Sequence, residues 1–206
     1  MRHSIAALLL LLFSGCTPEP LTDGSEEPLG RDEAAVVGEA GHCVVAADTF
    51  GPDLENGPAL RPPTHPPRCF KMFSEAILFA TQGQVLLPEG LAQTDVETAL
   101  EAWERSNPRE LLARSHVIAI EYTDKGYRGA SLTVQSEVSC DTAVISLNLP
   151  GAWNQIVTSA RVFGDCRHGY HYEKSGLKGA RADCDKRCPY LGEALGERAA
   201  SIKWTR

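Results

Sequence analysis

Short alternating runs of hydrophobic and polar residues dominate the chain from His116 to its end. These runs are rich in β-branched and aromatic residues, and Gly, Asp, Asn or Lys separate them: HVIAIEYT, ASLTVQS, TAVISLNL, SARVFG, GYHYE and SIKWT. Alternation with a period of two, bounded by turn residues, is typical of β-strands. We therefore predict an all-β domain over residues 115–206, with the strand spacing of a sandwich.

The pattern before His116 has a helical period instead. Ser74 can cap a helix, EAILFATQ, near which four apolar residues share one face: Phe73, Ala76, Ile77 and Ala80. QVLLP then reads as a short strand, the capping box TDVE at Thr94 opens a second helix, and NPRE starts a third. We interpret residues 34–114 as a small α+β segment.

The first residues have the pattern of an export signal. A basic start at Arg2 precedes the apolar run Ile5–Phe13, which is less than half of the ~20 residues that a membrane-spanning helix needs. The stretch LFSGC resembles a bacterial lipobox, in which the signal is cut before a cysteine that carries lipid. We predict a lipoprotein signal peptide over residues 1–15 and a lipid anchor on Cys16. The protein is then exported and held at the membrane, the outer membrane if the host is Gram-negative. An ordinary secretory signal with an incidental cysteine is the alternative.

Two segments contain little that a core could bury. Residues 16–33 are rich in Pro, Gly and acidic side chains, which predicts a disordered tether between the lipid and the domain. Residues 49–67 include RPPTHPPR and should be extended and similar to polyproline. We expect this second segment to lie inside a disulfide loop.

The chain has seven cysteines, an odd number for an exported protein, in which thiols are expected to pair. If Cys16 carries lipid, six remain and permit three disulfides, for which fifteen connectivities are possible. Proximity along the chain favours Cys43 with Cys69, Cys140 with Cys166, and Cys184 with Cys188. A zinc site is the alternative, although its spacing fits no familiar finger and an oxidising compartment favours disulfides; its ligands would be Cys166, His168, His171, Cys184 and Cys188.

Charge and motifs narrow the functional classes. The net charge of -7 and the pI near 5.4 argue against nucleic acid or an anionic membrane surface as the main partner, since either selects a basic face. The chain contains no Gly-x-Ser-x-Gly elbow, no phosphate-binding glycine loop and no His-Glu-x-x-His motif. We therefore predict that the protein is not an enzyme.

One octapeptide pattern occurs twice, fifty residues apart. YTDKGYRG runs from Tyr122 to Gly129, and YEKSGLKG repeats its spacing. Each copy suits a folded hairpin in which the turn bends back over the first aromatic ring and the last glycine has positive φ or avoids a clash with that ring. The repetition indicates an internal duplication. The hairpin residues are Tyr122, Tyr127 and Gly129 in the first copy, and Tyr172, Leu177 and Gly179 in the second.

A serine follows each octapeptide at the start of a later strand: Ser159 in WNQIVTSARVF and Ser201 in LGERAASIKW. With both octapeptides and both serines in register, the chain resembles the βγ-crystallin family. The resemblance implies two four-stranded Greek-key units, about residues 115–163 and 164–206, packed as a sandwich around a pseudo-twofold axis. The run WNQIVTSARVFGDC is most similar to secreted microbial members of the Streptomyces metalloproteinase-inhibitor type.

The resemblance also implies calcium chemistry. Microbial members often bind Ca²⁺ through the pattern Asn/Asp-Asn/Asp-x-x-Ser/Thr-Ser, and each site draws ligands from both units. The first segment offers Asn154, Gln155 and Thr158. In the second segment only Glu197 carries a suitable oxygen, because glycine and alanine stand at the other two positions. We expect no required cofactor, and weak calcium binding at the first segment's site or none at either. The two serines would then hydrogen-bond the folded hairpins.

Two functions follow from these features. The first is a structural or interaction module of the cell envelope, whose partner is the membrane through lipid on Cys16. The second is a proteinase inhibitor that binds a metalloprotease through a surface loop. Inhibitors of this type are usually freely secreted, so the lipobox and the additional N-terminal segment favour the first function.

Overall fold

A computed structural model of the chain describes residues 41–50, 63, 65–88, 91, 93–106 and 116–206. The predicted signal peptide, Cys16, the tether and the helix expected at NPRE lie outside the described residues. The described residues form eleven strands and two α-helices. None of these helices is long and apolar enough to cross a membrane.

The elements are mostly short. The strands are β1 (His42–Ala46), β2 (Asp48–Phe50), β3 (Arg68–Phe70), β4 (His116–Asp124), β5 (Arg128–Ser136), β6 (Val144–Asn148), β7 (Ser159–Val162), β8 (His168–Lys174), β9 (Lys178–Cys184), β10 (Arg187–Cys188) and β11 (Ser201–Thr205). The helices are α1 (Phe73–Ala80) and α2 (Gln93–Ser106). The predicted mainly-β class, with an α+β segment before the C-terminal sandwich, is confirmed.

Two sheets form the sandwich. Sheet I has the order β10-β7-β4-β5-β1-β3, and sheet II has the order β2-β6-β11-β8-β9. In the first unit β4 pairs with β5 and β7, while β6 crosses to sheet II and pairs with β11. In the second unit β8 pairs with β9 and β11, while β10 crosses to sheet I and pairs with β7. Each unit thus contributes three strands to one sheet and one to the other, which confirms the two-unit Greek-key arrangement.

The segment before His116 adds strands to both sheets. β1 lies parallel to β5, with Cys43 opposite Leu132, and β3 lies antiparallel to β1. β2 pairs with β6 in sheet II. Only Ala47 separates β1 from β2, so the chain passes from one sheet to the other at that residue. The local sequence pattern does not indicate this long-range pairing.

The main core lies between the sheets. Trp153, Trp204, Leu132, Ile145 and Ile202 are almost completely buried in it. A fully buried side chain of this size stabilises the fold by about 1.5–3 kcal/mol relative to an exposed one. The space between the sheets is therefore filled by side chains.

Helix α1 packs on the outer face of sheet I. Its buried residues are those predicted to share a face, and they form a second apolar cluster with Val44, Ile120 and Tyr122. The prediction that Ser74 caps this helix is wrong: the N-cap is Met72, whose N–H donates to the Glu75 carboxylate at 3.3 Å. The strand predicted at QVLLP does not form, and Leu86 there is 79% exposed.

Three disulfides connect the pairs that proximity favours: Cys43–Cys69, Cys140–Cys166 and Cys184–Cys188. The pairing prediction is confirmed, and residues 49–67 lie within the first loop. The zinc alternative is wrong, because the cysteine sulfurs that it needs are oxidised and His171 is bonded to Glu121. In the described ranges no cluster of three or more His, Cys, Asp or Glu side chains could hold a metal ion.

Candidate functional site

Each folded hairpin contains residues whose backbone has a left-handed conformation. In the first hairpin Tyr127 and Gly129 have φ of 63° and 80°, and the rings of Tyr122 and Tyr127 meet edge to face at 5.9 Å. A Cβ on Gly129 would lie 2.2 Å from Thr123 Oγ1 and 2.8 Å from Asp124 Cγ. Glycine is therefore needed for both its positive φ and its small size, and the close neighbours are these side chains and not the Tyr122 ring.

The second hairpin repeats this conformation. Leu177 and Gly179 have φ of 60° and 84°. A Cβ on Gly179 would be less crowded, with Glu173 Oε2 the nearest atom at 3.1 Å. The duplication seen in sequence is thus a duplication of backbone geometry.

Each motif serine holds its hairpin closed. The buried Ser159 Oγ donates to the carbonyl of Asp124 at 2.6 Å and accepts from the N–H of Tyr127 at 3.0 Å. Ser201 makes the two equivalent bonds in the second unit, at the same distances. The serines therefore have a structural role that needs no ligand.

The turns that precede the two serines bind each other. The N–H of Gln155 donates to the carbonyl of Ala199 at 2.8 Å, and the N–H of Glu197 donates to the carbonyl of Val157 at 2.9 Å. Gln155 and Glu197 hold the same position in the two segments and share left-handed φ values of 65° and 60°. The pseudo-twofold axis therefore relates the two turns, and the expected calcium ligands meet there.

The two hydrogen bonds between the turns define two unequal pairs of residues. The N–H of Glu197 is bonded to Val157, the residue before Thr158. We call Glu197 and Thr158 the acidic turn pair. The N–H of Gln155 is bonded to Ala199, the residue before Ala200. We call Gln155 and Ala200 the neutral turn pair. The hydroxyl of Thr158, a residue only 4% exposed, has no hydrogen-bond partner among the described residues.

Calcium takes six to eight oxygen ligands and binds more weakly as anionic ligands are lost. The acidic turn pair retains the Glu197 carboxylate and the buried Thr158 hydroxyl, which are two of the oxygens that the ion takes. The neutral turn pair retains only the amide of Gln155. The exposed Asn154 ends a 3₁₀ turn, where its N–H is bonded to Pro150 and Gly151. The residue pattern predicts weak binding at the first segment's site or none at either, and in the structure the N–H of Glu197 is bonded to Val157, the residue before Thr158.

The backbone at these turns is already engaged. The N–H of Thr158 donates to the carbonyl of Tyr122 at 2.8 Å, and its own carbonyl accepts from the N–H of Leu191 at 2.9 Å. Ala200 makes the two equivalent bonds at 2.7 and 2.9 Å. These carbonyls are therefore already committed to hydrogen bonds that join strands and loops.

The tip of the first hairpin also contacts the loop before the second turn. Lys125 Nζ lies 3.8 Å from the centre of the Tyr190 ring and 3.9 Å from Glu193 Oε1. The hydrogen bond to Glu193 raises the pKa of Tyr190. The N–H of Gly126 donates to the carbonyl of Pro189 at 2.8 Å. These contacts join the two units next to the acidic turn pair.

The sequence patterns gave no indication of a buried contact between a histidine and a glutamate. His171 Nε2 lies 2.8 Å from Glu121 Oε2, and both side chains are completely buried. Glu121 on sheet I and His171 on sheet II each directly precede the first aromatic of an octapeptide, so the two residues are equivalent in the duplication. Their second polar atoms, Glu121 Oε1 and His171 Nδ1, have no partner in the described part of the chain. The pair bridges the sheets within the core and is inaccessible to a ligand.

No family model matches the sequence, and no curated protein does. Solved structures do match. A double mutant of a βγ-crystallin domain from Clostridium beijerinckii is 20% identical, with 43% of this chain and 96% of that chain covered and a TM-score of 0.35. A βγ-crystallin domain from Flavobacterium johnsoniae is 20% identical, with 42% and 92% covered and a TM-score of 0.34. A βγ-crystallin from Ciona intestinalis is 17% identical, with 42% and 98% covered and a TM-score of 0.33.

Proposed function

We propose that the chain is a non-enzymatic lipoprotein of the cell envelope whose βγ-crystallin-like domain is a structural or interaction module, with calcium binding weak or lost. The observation that carries this proposal is the direct bonding of the two turns, through Gln155 to Ala199 and Glu197 to Val157. These bonds connect the two turns directly, without a metal ion between them. The domain can thus keep its geometry without an ion.

Other contacts support a self-sufficient module. The two serines hold the hairpins, and three disulfides connect the loops and strands around the core. Disulfides are typical of small exported domains, which need covalent constraints in addition to a core. This pattern favours a stable scaffold that presents a surface.

Calcium can still act on the acidic turn pair. One carboxylate and one hydroxyl, completed by water, would resemble an extracellular site with millimolar affinity. Calcium bound there would add an ionic link between the units. The ion's contribution to stability would be modest, because free calcium near its dissociation constant contributes only about 0.4 kcal/mol.

Calorimetry with calcium or with chelator tests this part of the proposal. For the unmodified chain we expect little change in melting temperature until calcium reaches roughly millimolar concentrations. The matched variant Gln155→Asp/Ala200→Thr rebuilds the neutral turn pair and should bind more tightly. Micromolar affinity in the unmodified chain would contradict weak or lost binding.

Membrane fractionation tests the lipoprotein part. The unmodified chain should sediment with membranes, and Cys16→Ser should release it to the soluble fraction. A Cys16→Ser variant that stays with membranes would place the anchor elsewhere. The same soluble variant can be assayed against a panel of metalloproteases. Stoichiometric inhibition at micromolar protein would replace the structural proposal with the proteinase-inhibitor alternative.

A further inference from the structure

Among the described strands, β9 is an edge of sheet II. It is seven residues long, and Lys178, Gly179, Ala180, Arg181 and Asp183 are exposed. β8 is its only neighbour among the described strands. A long edge strand presents unpaired N–H and C=O groups, which can pair with another strand.

The other unit shows that this edge can accept a strand. β5 is the counterpart of β9 in the duplication, and β1 occupies its outer edge. Leu132, which lies opposite Cys43 of β1, corresponds to Ala182 of β9, fifty residues later. The chain therefore fills this position in the first unit, and no described strand fills it in the second.

The side chains of β9 are suited to pairing with a copy of themselves. Ala182 packs towards the core, so its neighbours Arg181 and Asp183 lie on the outer face of sheet II. The Arg181 guanidinium binds the Asp183 carboxylate at 2.7 and 3.0 Å. β9 thus carries one positive and one negative charge, two residues apart on one face.

Sheet geometry restricts how two β9 strands could pair. In a continuous sheet opposite residues share a face, so a two-fold axis between identical antiparallel strands must pass through a residue. An axis at Arg181 or at Asp183 would place like charges opposite each other, which is unfavourable. An axis at Ala182 places Arg181 of each copy opposite Asp183 of the other.

We propose that β9 is a self-association edge, which pairs antiparallel with β9 of a second copy of this chain around a two-fold axis at Ala182. Sheet II then continues across the dimer as a ten-stranded sheet, twice the five strands of one copy. Each guanidinium lies between the carboxylate of its own strand and that of the opposite strand. Such an interface is isologous, as in most two-fold dimers.

Register-specific cysteine cross-linking tests the pairing. The protein is purified in detergent in the form that the cell produces, so that any lipid on Cys16 remains attached. Chains with Arg181→Cys are mixed with chains with Asp183→Cys under mild oxidation. The mixture should form disulfide dimers, and each variant alone should not, because its cysteines would not lie opposite each other. The unmodified chain serves as the control for cross-links through its own cysteines.

Charge reversal provides an independent measurement. Arg181→Asp and Asp183→Arg each place like charges across the axis and should raise the dimer dissociation constant by about tenfold or more. The double exchange Arg181→Asp/Asp183→Arg restores opposite charges and should recover dimerisation. Arg68→Asp, on the β3 edge, is the matched control and should have no effect. Far-ultraviolet circular dichroism checks that each variant is folded.

Several results would overturn the proposal. An unmodified chain that is monomeric up to about 100 µM would do so, since such pairing would be too weak to matter. Cross-linking of Arg181→Cys chains with themselves would place the axis elsewhere. A cross-link from β9 to residues 1–40 of the same chain, or to a different protein, would assign the edge to another strand.

Discussion

The buried pair between Glu121 and His171 makes a quantitative prediction about the core. Replacing Glu121 with leucine leaves a completely buried imidazole without its partner at 2.8 Å, and replacing His171 leaves a buried carboxylate. Removing one member of a buried ion pair typically costs about 3–5 kcal/mol. We therefore expect each single variant to lose about that much unfolding free energy.

The double variant should behave differently. Glu121→Leu/His171→Leu replaces both polar groups with apolar ones in a core that already contains Ile118 and Leu132. Such replacements are often neutral or stabilising by about 1–4 kcal/mol. The loss in the double variant should be much smaller than the sum of the single losses, with a coupling energy of several kcal/mol.

Urea unfolding followed by tryptophan fluorescence measures these values, because Trp153 and Trp204 are buried and become exposed on unfolding. The matched control is the surface pair of His168 and Asp185, which has similar chemistry at 2.9 Å but exposures of 42% and 83%. A cycle at that pair should give about 0.2–1 kcal/mol. Additive losses at Glu121 and His171, or equal coupling at both pairs, would refute the reasoning.

Three further predictions concern single features. Gly129→Ala should cost about 2–4 kcal/mol through positive φ and the contact with Thr123, and Gly179→Ala only about 1–2 kcal/mol; equal losses in thermal unfolding would contradict this. Removing Cys140–Cys166 with alanine at both positions should cost about 3.5 kcal/mol, from a sequence separation of 26 residues; a loss below about 1 kcal/mol in urea would contradict it. Burial lowers the pKa of His42, so the unfolded chain binds more protons at acidic pH. The stability that depends on neutral His42 should be complete above about pH 6.5 and decline by up to about 1.4 kcal/mol per pH unit below it. In the His42→Asn variant the urea midpoint should depend less on pH than in the unmodified chain. An equal dependence on pH would count against burial as the cause.

Much of the sandwich could be predicted because its strands are short runs rich in β-branched and aromatic residues between turn residues. β8 also alternates between buried and partly exposed positions, whereas all four residues of β7 are buried. β9 reads KGARADC and carries no such pattern, because five of its seven residues are exposed. The short strands β1 to β3 depend on partners far along the chain, which local patterns do not report.

The candidate site was predictable only in part. Its donors, including Gln155 and Glu197, could be read from the register of the two units. Their partners depend on how the turns cross the pseudo-twofold axis, which connects Glu197 with the segment of Thr158. Glu121 and His171 could have been found by comparing the residues before each aromatic, which carry opposite charges when both are ionised.

The parallel pairing of β1 with β5 has a consequence for folding kinetics. Cys43 and Leu132 lie 89 residues apart, so β1 is synthesised about 4 to 18 s before its partner. Contacts of such high sequence separation slow folding. The apolar HCVVA strand is prone to aggregate until β5 has been synthesised. β3 arrives only 26 residues after β1, and the Cys43–Cys69 bond joins them. This early hairpin can protect one edge of β1 until β5 is available.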